Sequence, residues 1–114
     1  MAIFVTVDNP ASFVQDIKKG IDEKTIQTWE YDSDGDFTHS PDQWKNSAWI
    51  RPHEEAKRVV FGIVDRKDRN LSVVEYAVFH GRFVEMLLEH FDSRCEEISV
   101  SPMGTSYDII EMTK

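Results

Sequence analysis

The sequence predicts an α+β fold, a single-domain sandwich in which a mostly antiparallel sheet of about five strands carries two helices on one face. Three observations lead to this prediction. A chain of 114 residues has room for one hydrophobic core. Short β-branched and aromatic segments are separated by brief turns, which is typical of hairpins, and two longer segments repeat apolar residues at helical spacing. The predicted order of elements is β-α-β-β-β-β-α-β.

The first strand and the first helix have clear local boundaries. Residues 2–7 are β-branched and aromatic, which favours a strand. Asn9, or alternatively Asp8, is a suitable helix N-cap, and Pro10 then occupies the first helical position, where its missing N–H costs nothing. Gly20 is predicted to end the helix. The apolar stripe of this helix consists of Phe13, Val14 and Ile17.

The middle of the chain is predicted to form short strands around an acidic turn. Residues 25–31 alternate between apolar and polar side chains, which predicts a strand. Residues 32–36, Asp-Ser-Asp-Gly-Asp, have the composition of a tight turn, and residues 37–39 return as a partner strand. Residues 47–51 are compatible with a short edge strand that ends before Pro52.

The second half contains the strongest apolar segments. Residues 59–64 are apolar on both faces, which predicts a central strand. Residues 73–79 are predicted to be a strand, and residues 83–91 a helix with a clear apolar stripe. One helix over residues 73–91 is the alternative, which the β-branched first half and Gly81 disfavour.

The end of the chain is predicted to complete the sheet. Residues 98–100 alternate as a last core strand before Pro102, and residues 107–112 are a possible additional edge strand. No internal repeat, low-complexity tract or linker interrupts the chain. We therefore predict a single domain over residues 1–114.

Composition and charge restrict the classes of function. The formal charge of −8 argues against binding to nucleic acids and to anionic membranes, which requires a basic face. A single cysteine, Cys95, excludes an internal disulfide and favours a reducing, cytoplasmic compartment. Residues 1–10 lack the basic start and the long apolar stretch of a signal peptide. We expect a cytoplasmic protein with no nucleic-acid or membrane partner.

No catalytic signature emerges from the titratable residues. Asp32, Asp34 and Asp36 have the alternate spacing of a calcium loop, but the positions where an EF-hand needs glycine and an acid hold Phe37 and Gln43. We therefore interpret the run as a solvated turn. The four histidines match no zinc pattern, and no glycine-rich phosphate loop is present. The sequence predicts no catalytic residue, no metal ligand and no cofactor.

All three tryptophans lie within residues 28–53, interleaved with acidic residues. Trp29 is predicted to belong to the core. The others, with the nearby aspartates, suggest a surface for a basic partner, because complementary charge speeds encounter and aromatic residues supply affinity. The leading hypothesis is a non-enzymatic protein-binding module, for example an inhibitor of the immunity or antitoxin type, whose partner-binding residues are Asp34, Asp36, Asp42, Trp44 and Trp49.

Two other classes of function remain open at this stage. The first is a small metal-dependent enzyme or cation-binding domain that uses Asp32, Asp34, Asp36 and His39. The second is a homo-oligomer that pairs through an exposed edge of the sheet. The sequence does not predict the oligomeric state.

Overall fold

Residues 1–110 are described by the computed structural model, which contains two helices and a six-stranded antiparallel sheet. The predicted α+β class and the order β-α-β-β-β-β-α-β are confirmed, with one strand more than the estimate of about five. The elements are β1 (Ala2–Thr6), α1 (Pro10–Asp22), β2 (Trp29–Tyr31), β3 (Phe37–His39), β4 (Ala48–Glu55), β5 (Arg58–Asp65), α2 (Val73–Phe91) and β6 (Glu97–Ser101).

The strands lie in the order β2-β3-β4-β5-β1-β6, and β5 is a central strand, as predicted. Both helices cover the same face of the sheet, because the residues they bury share one core with alternate residues of the strands. This core includes Ile3 and Val5 of β1, Ile50 of β4, Phe61 and Ile63 of β5, Phe13 and Ile17 of α1, and Phe79, Phe83 and Leu87 of α2. Within residues 1–110, neither helix is long and apolar enough to cross a membrane.

Helix α1 begins as the sequence predicts. The side chain of Asn9 accepts a hydrogen bond from the N–H of Ser12 at 3.1 Å, and Pro10 is the first helical residue. The helix does not end at Gly20 but continues to Asp22. A Cβ at Gly20 would lie 2.8 Å from Cδ1 of Ile26, so a larger residue at this position would require the Ile26 side chain to shift. The predicted stripe of Phe13, Val14 and Ile17 is buried.

The predicted strand over residues 73–79 is wrong, because one helix, α2, spans Val73–Phe91. Ser72 and Glu75 form a capping box that starts the helix, with bonds of 3.0 and 3.1 Å between each side chain and the other residue's N–H. The two β-branched residues Val73 and Val74 lie in the first turn and are exposed to solvent. Their side chains therefore gain no packing of the kind that favours a strand. Gly81 lies within the helix without ending it.

Strand β4 is longer and more central than predicted. It lies between β3 and β5 and continues through Pro52 to Glu55. Proline is tolerated because β3 pairs with β4 only at Phe37 and Ile50, which leaves the outer edge of β4 at Pro52 without a neighbouring ladder. The predicted strand over residues 25–31 is reduced to β2, and its Trp29 is in the core, as predicted, at 2% exposure.

The C-terminal segment crosses the face of the sheet opposite the helices. Residue 109 forms a parallel bridge with Val64, but residues 107–110 form no strand, and residues 111–112 of the predicted edge strand lie outside the described part of the chain. The ring of Tyr107 contacts that of Phe4 edge-on, and a Cβ at Gly62 would lie 2.1 Å from the carbonyl oxygen of Tyr107. The segment therefore depends on a glycine at position 62 of β5.

Strand β6 is an edge strand and not the predicted core strand. Ile98 packs against the core, whereas Val100 leaves 44% of its surface exposed. The outer edge of β6 faces no other strand of the sheet in residues 1–110.

Candidate functional site

The acidic run 32–36 forms the tight turn between β2 and β3, as the sequence predicts. Oδ1 of Asp32 accepts hydrogen bonds from the backbone N–H groups of Asp34 and Asp36, both at 3.0 Å. The N–H of Gly35 donates to the carbonyl of Asp32, and Gly35 has a φ of 83°, which glycine adopts without strain. These bonds use the side chain of Asp32 to shape the turn.

A salt bridge anchors the turn to the sheet. Asp36 is only 3% exposed, and its two carboxylate oxygens accept hydrogen bonds from Nε and Nη2 of Arg51, at 2.9 and 2.7 Å. Such a bidentate pair is charge-assisted and geometrically specific. The hydrogen bonds to Asp36 raise the pKa of Arg51, so the guanidinium stays charged. Asp36 therefore acts inside the protein and is almost inaccessible from the surface.

Strand alternation brings Arg51 next to Trp49. Ile50 points into the core, so Trp49 and Arg51, one residue before and one after it, point to the opposite face of β4. Trp49 is half-buried and lies opposite Val64 in the ladder between β4 and β5. Together Trp49 and Val64 provide an apolar floor beside the acidic turn.

These groups line a cleft of about 400 Å³ on the face of the sheet away from the helices. The turn between β2 and β3 forms one wall, and the loop after β5 forms the other. We call it the Trp49 cleft, and define it by its lining residues Asp32, Asp34, Asp36, Trp49, Arg51, Val64, Asp65, Arg66, Lys67 and Asp68.

Four of the eight charged residues that line the Trp49 cleft form two arginine–aspartate pairs. Arg66 bonds to Asp68 through Nε at 2.8 Å, and this arginine lowers the pKa of the Asp68 carboxyl. Arg51 is bonded to Asp36, as described above. The carboxylate of Asp34, in contrast, is exposed and forms no hydrogen bond or ion pair with any residue between 1 and 110. Aspartates outnumber basic residues five to three in the lining, so the cleft is acidic.

The structure divides the five predicted partner-binding residues. Asp34, Asp36 and Trp49 meet in the Trp49 cleft, although Asp36 is buried. Asp42 and Trp44 lie in the loop between β3 and β4 and do not line it. Asp42 is exposed, whereas Trp44 is partly buried and packs against the core.

Sequence reasoning missed Arg51 and Val64. A signal for Arg51 was present, since Trp49 and Arg51 have the spacing of two residues that places strand side chains on one face. Its pairing with Asp36, fifteen positions earlier, follows from the sheet and has no local signature. Val64 was recognised only as part of an apolar strand.

The turn at residues 32–36 is also the candidate site for a cation, because it brings three carboxylates together. One carboxylate oxygen from each of Asp32, Asp34 and Asp36 lies within 4.8 Å of the others. The chemistry of these donors is unfavourable, because both oxygens of Asp36 are bonded to a guanidinium and Oδ1 of Asp32 accepts two N–H groups. His39, the fourth residue of that hypothesis, is not in the cluster.

His39 instead belongs to the core. It is 5% exposed, its ring centroid lies 4.8 Å from that of Trp29, and Nδ1 is 2.8 Å from the carbonyl oxygen of Thr28. Burial lowers the pKa of His39, so the ring is neutral at pH 7. A buried neutral histidine bonded to the backbone is typical of a structural role.

Comparison of the chain with protein-family models, with curated proteins and with solved structures gives no significant match.

Proposed function

We propose that this protein is a small, acidic, cytoplasmic protein-binding module that holds a basic partner protein in the Trp49 cleft. The concrete form is an immunity protein or antitoxin, which neutralises a basic enzyme by covering its active surface. One observation carries the proposal: a half-buried tryptophan forms the floor of a cleft whose rim carries the exposed carboxylates of Asp32 and Asp34.

A few side chains that become fully desolvated at the centre of a protein interface contribute most of its affinity, and tryptophan is enriched among them. Trp49 supplies such a side chain, and it stands on a central strand where β5 fixes its position. A partner side chain with an apolar stem and a cationic end would bury its stem on Trp49 and Val64. Its charge would then reach the rim carboxylates.

The electrostatics of the rim favour a cationic partner. Arg51 and Arg66 each have an internal carboxylate partner, so they present little net positive charge. Asp34 has no such partner among residues 1–110, and the whole chain carries a formal charge of −8. Long-range attraction of this kind raises the association rate and is weakened by salt.

The bonded turn also lowers the cost of binding. Arg51 holds Asp36, and Asp32 holds the backbone of the turn, so the backbone that carries Asp34 is ordered before a partner arrives. A rim that is already ordered loses less conformational entropy on association. We therefore assign Asp36 and Arg51 a positioning role and Asp34 and Trp49 direct contact.

The proposal is tested by comparing the unaltered protein with Asp34→Lys as bait in extracts of the native host. Asp92→Lys is the matched control, because Asp92 is also exposed and lies at the end of α2, away from the cleft. We expect a basic protein that is retained by the unaltered bait and by Asp92→Lys, and lost with Asp34→Lys. Equal retention by all three baits would contradict the proposal.

Purified partner then allows the contacts to be separated kinetically. Asp34→Lys should lower the association rate and the dependence of that rate on salt, because it acts through long-range charge. Trp49→Ala should instead raise the dissociation rate, with a loss of affinity of about 30-fold or more for a residue of this type. An association rate that is independent of salt in the unaltered protein would be incompatible with electrostatic recruitment.

Calorimetric titration separates this proposal from the cation-binding alternative. With calcium, magnesium or zinc at millimolar concentration we expect no heat, because the Arg51 guanidinium already occupies the carboxylate of Asp36. Saturable heat that disappears in Asp34→Asn would favour a cation site in the turn instead.

A further inference from the structure

The outer edge of β6 presents a defined set of backbone hydrogen-bonding groups. The N–H of Val7, the residue after β1, donates to the carbonyl of Lys57. Because backbone groups alternate in direction along a strand, Val5 and Ile3 also direct theirs towards β5. Phe4 therefore directs its groups towards β6, where it pairs with Ser99. It follows that the backbone groups of Ile98 and Val100 point away from the sheet.

This edge has few of the features that prevent strand pairing. The other edge strand of the sheet, β2, has three residues, whereas β6 has five and contains neither proline nor lysine. Its one irregularity is at the start, where the N–H of Glu96 also donates to the carbonyl of Thr6. Strands of this kind accept another strand readily.

We propose that β6 pairs antiparallel with β6 of a second copy of this chain, which joins the two sheets into one. A two-fold axis at Ser99, the middle residue of β6, gives the longest overlap and makes the contact self-complementary. Ile98 then exchanges backbone hydrogen bonds with Val100 of the second copy. Both side chains lie on the helix-covered face of the sheet, because they pair with the core residues Val5 and Ile3.

The side chains of β6 fit this register. The exposed apolar surface of Val100 meets Ile98 of the other copy, which removes apolar area from water. Ser99 lies directly opposite Ser99 of the second copy, and the two serine side chains are small enough for the strands to approach closely. Glu97 lies opposite Ser101 of the second copy, so no two like charges face each other across the pair.

Charge gives the dimer a salt dependence opposite to that of partner binding. Each copy carries a formal charge of −8, so the copies repel at low ionic strength, and added salt should strengthen the dimer. The Trp49 cleft lies around β4 and the turn between β2 and β3, three strands from β6, so it stays open in the dimer. The two proposals therefore stand or fall independently.

Sedimentation velocity on the full chain tests the proposal. The protein concentration should range from about 1 to 500 μM, because a contact made by one five-residue strand from each copy is at the weak end of specific interfaces. We expect a monomer–dimer equilibrium that shifts towards the dimer as salt increases. Ser99→Lys and Ser99→Glu should each sediment as monomers at all concentrations, since each places two like charges directly opposite. An equimolar mixture of the two variants should restore the dimer.

Ser93→Lys is the control for added charge, because Ser93 is exposed in the connection before β6. It should dimerise at least as well as the unaltered protein. Circular dichroism of each variant serves to check that it is folded. A monomer at all concentrations and salts, or dimers of both single Ser99 variants, would overturn the proposal, as would a mixture that stays monomeric. None of these outcomes bears on retention of a basic partner by the Trp49 cleft.

Discussion

Replacement of Arg51 by glutamine should destabilise the protein through the carboxylate it leaves behind. Asp36 is 3% exposed, and both of its hydrogen bonds from side chains come from Arg51. A hydrogen bond to a charged group contributes about 1.5–3 kcal/mol, and an unpaired buried charge costs more. Because the side chain of Arg51 is 36% exposed, solvent reduces this effect. We expect the free energy of unfolding to fall by about 2–3 kcal/mol.

The pairwise contribution is obtained from a double-mutant cycle with Asp36→Asn. Urea denaturation at pH 7 of the unaltered protein, of both single variants and of the double variant should give a coupling energy of about 1–2 kcal/mol. Arg66→Gln is the matched control, because it removes another arginine–aspartate pair from the same cleft. In that pair both side chains are exposed, Arg66 at 40% and Asp68 at 62%. That variant should have the stability of the unaltered protein.

Two results would refute this reasoning. If Arg51→Gln were no more destabilising than Arg66→Gln, burial of Asp36 would not matter to the stability of the turn. If the coupling energy were zero, the two bonds would not contribute as a pair. Either result would also remove the basis for assigning Asp36 and Arg51 a positioning role in the Trp49 cleft.

Two further predictions concern the C-terminal segment and helix α2. Gly62→Ala should lower the free energy of unfolding by about 1–3 kcal/mol and speed hydrogen exchange at the Ile109 amide, since the new Cβ would lie 2.1 Å from the carbonyl oxygen of Tyr107. Gly81→Ala, whose Cβ would meet nothing within 4 Å, is the control and should stabilise α2; equal effects of the two would contradict this account. Arg69 and the Ser72 cap lower the pKa of Glu75 from 4.5 to about 2, so its stabilisation is present above pH 4.5 and is lost as pH falls towards 2. Urea denaturation from pH 7 to pH 2 should therefore show that Glu75→Gln is less stable than the unaltered protein by about 1–2 kcal/mol at pH 7. This difference in the free energy of unfolding should vanish at low pH. A difference that does not change with pH would exclude the ionised carboxylate as its source.

Local signals predicted α1 well and α2 only in part. The start of α1 depends on neighbouring residues, Asn9 and Pro10, whose effects act within one turn. The start of α2 had an equally local signal in Ser72 and Glu75, but the prediction rested on the β-branched residues after Ser72 and on Gly81. The strand propensity of Val73 and Val74 led to a wrong prediction because both side chains are exposed. Strand propensity reflects packing on a half-buried sheet surface, and these two residues have no such packing.

The composition and periodicity of the chain determined the α+β class, the order of the elements, the turn at residues 32–36 and the burial of Trp29, because each depends on residues close together in sequence. The tertiary structure alone decided that Trp49 lines a cleft while Trp44 packs against the core. It alone also joined Asp36 to Arg51 and left the outer edge of β6 without a neighbouring strand within residues 1–110. These features depend on which strands become neighbours, and strand order is set by packing of the whole core, which no single segment encodes.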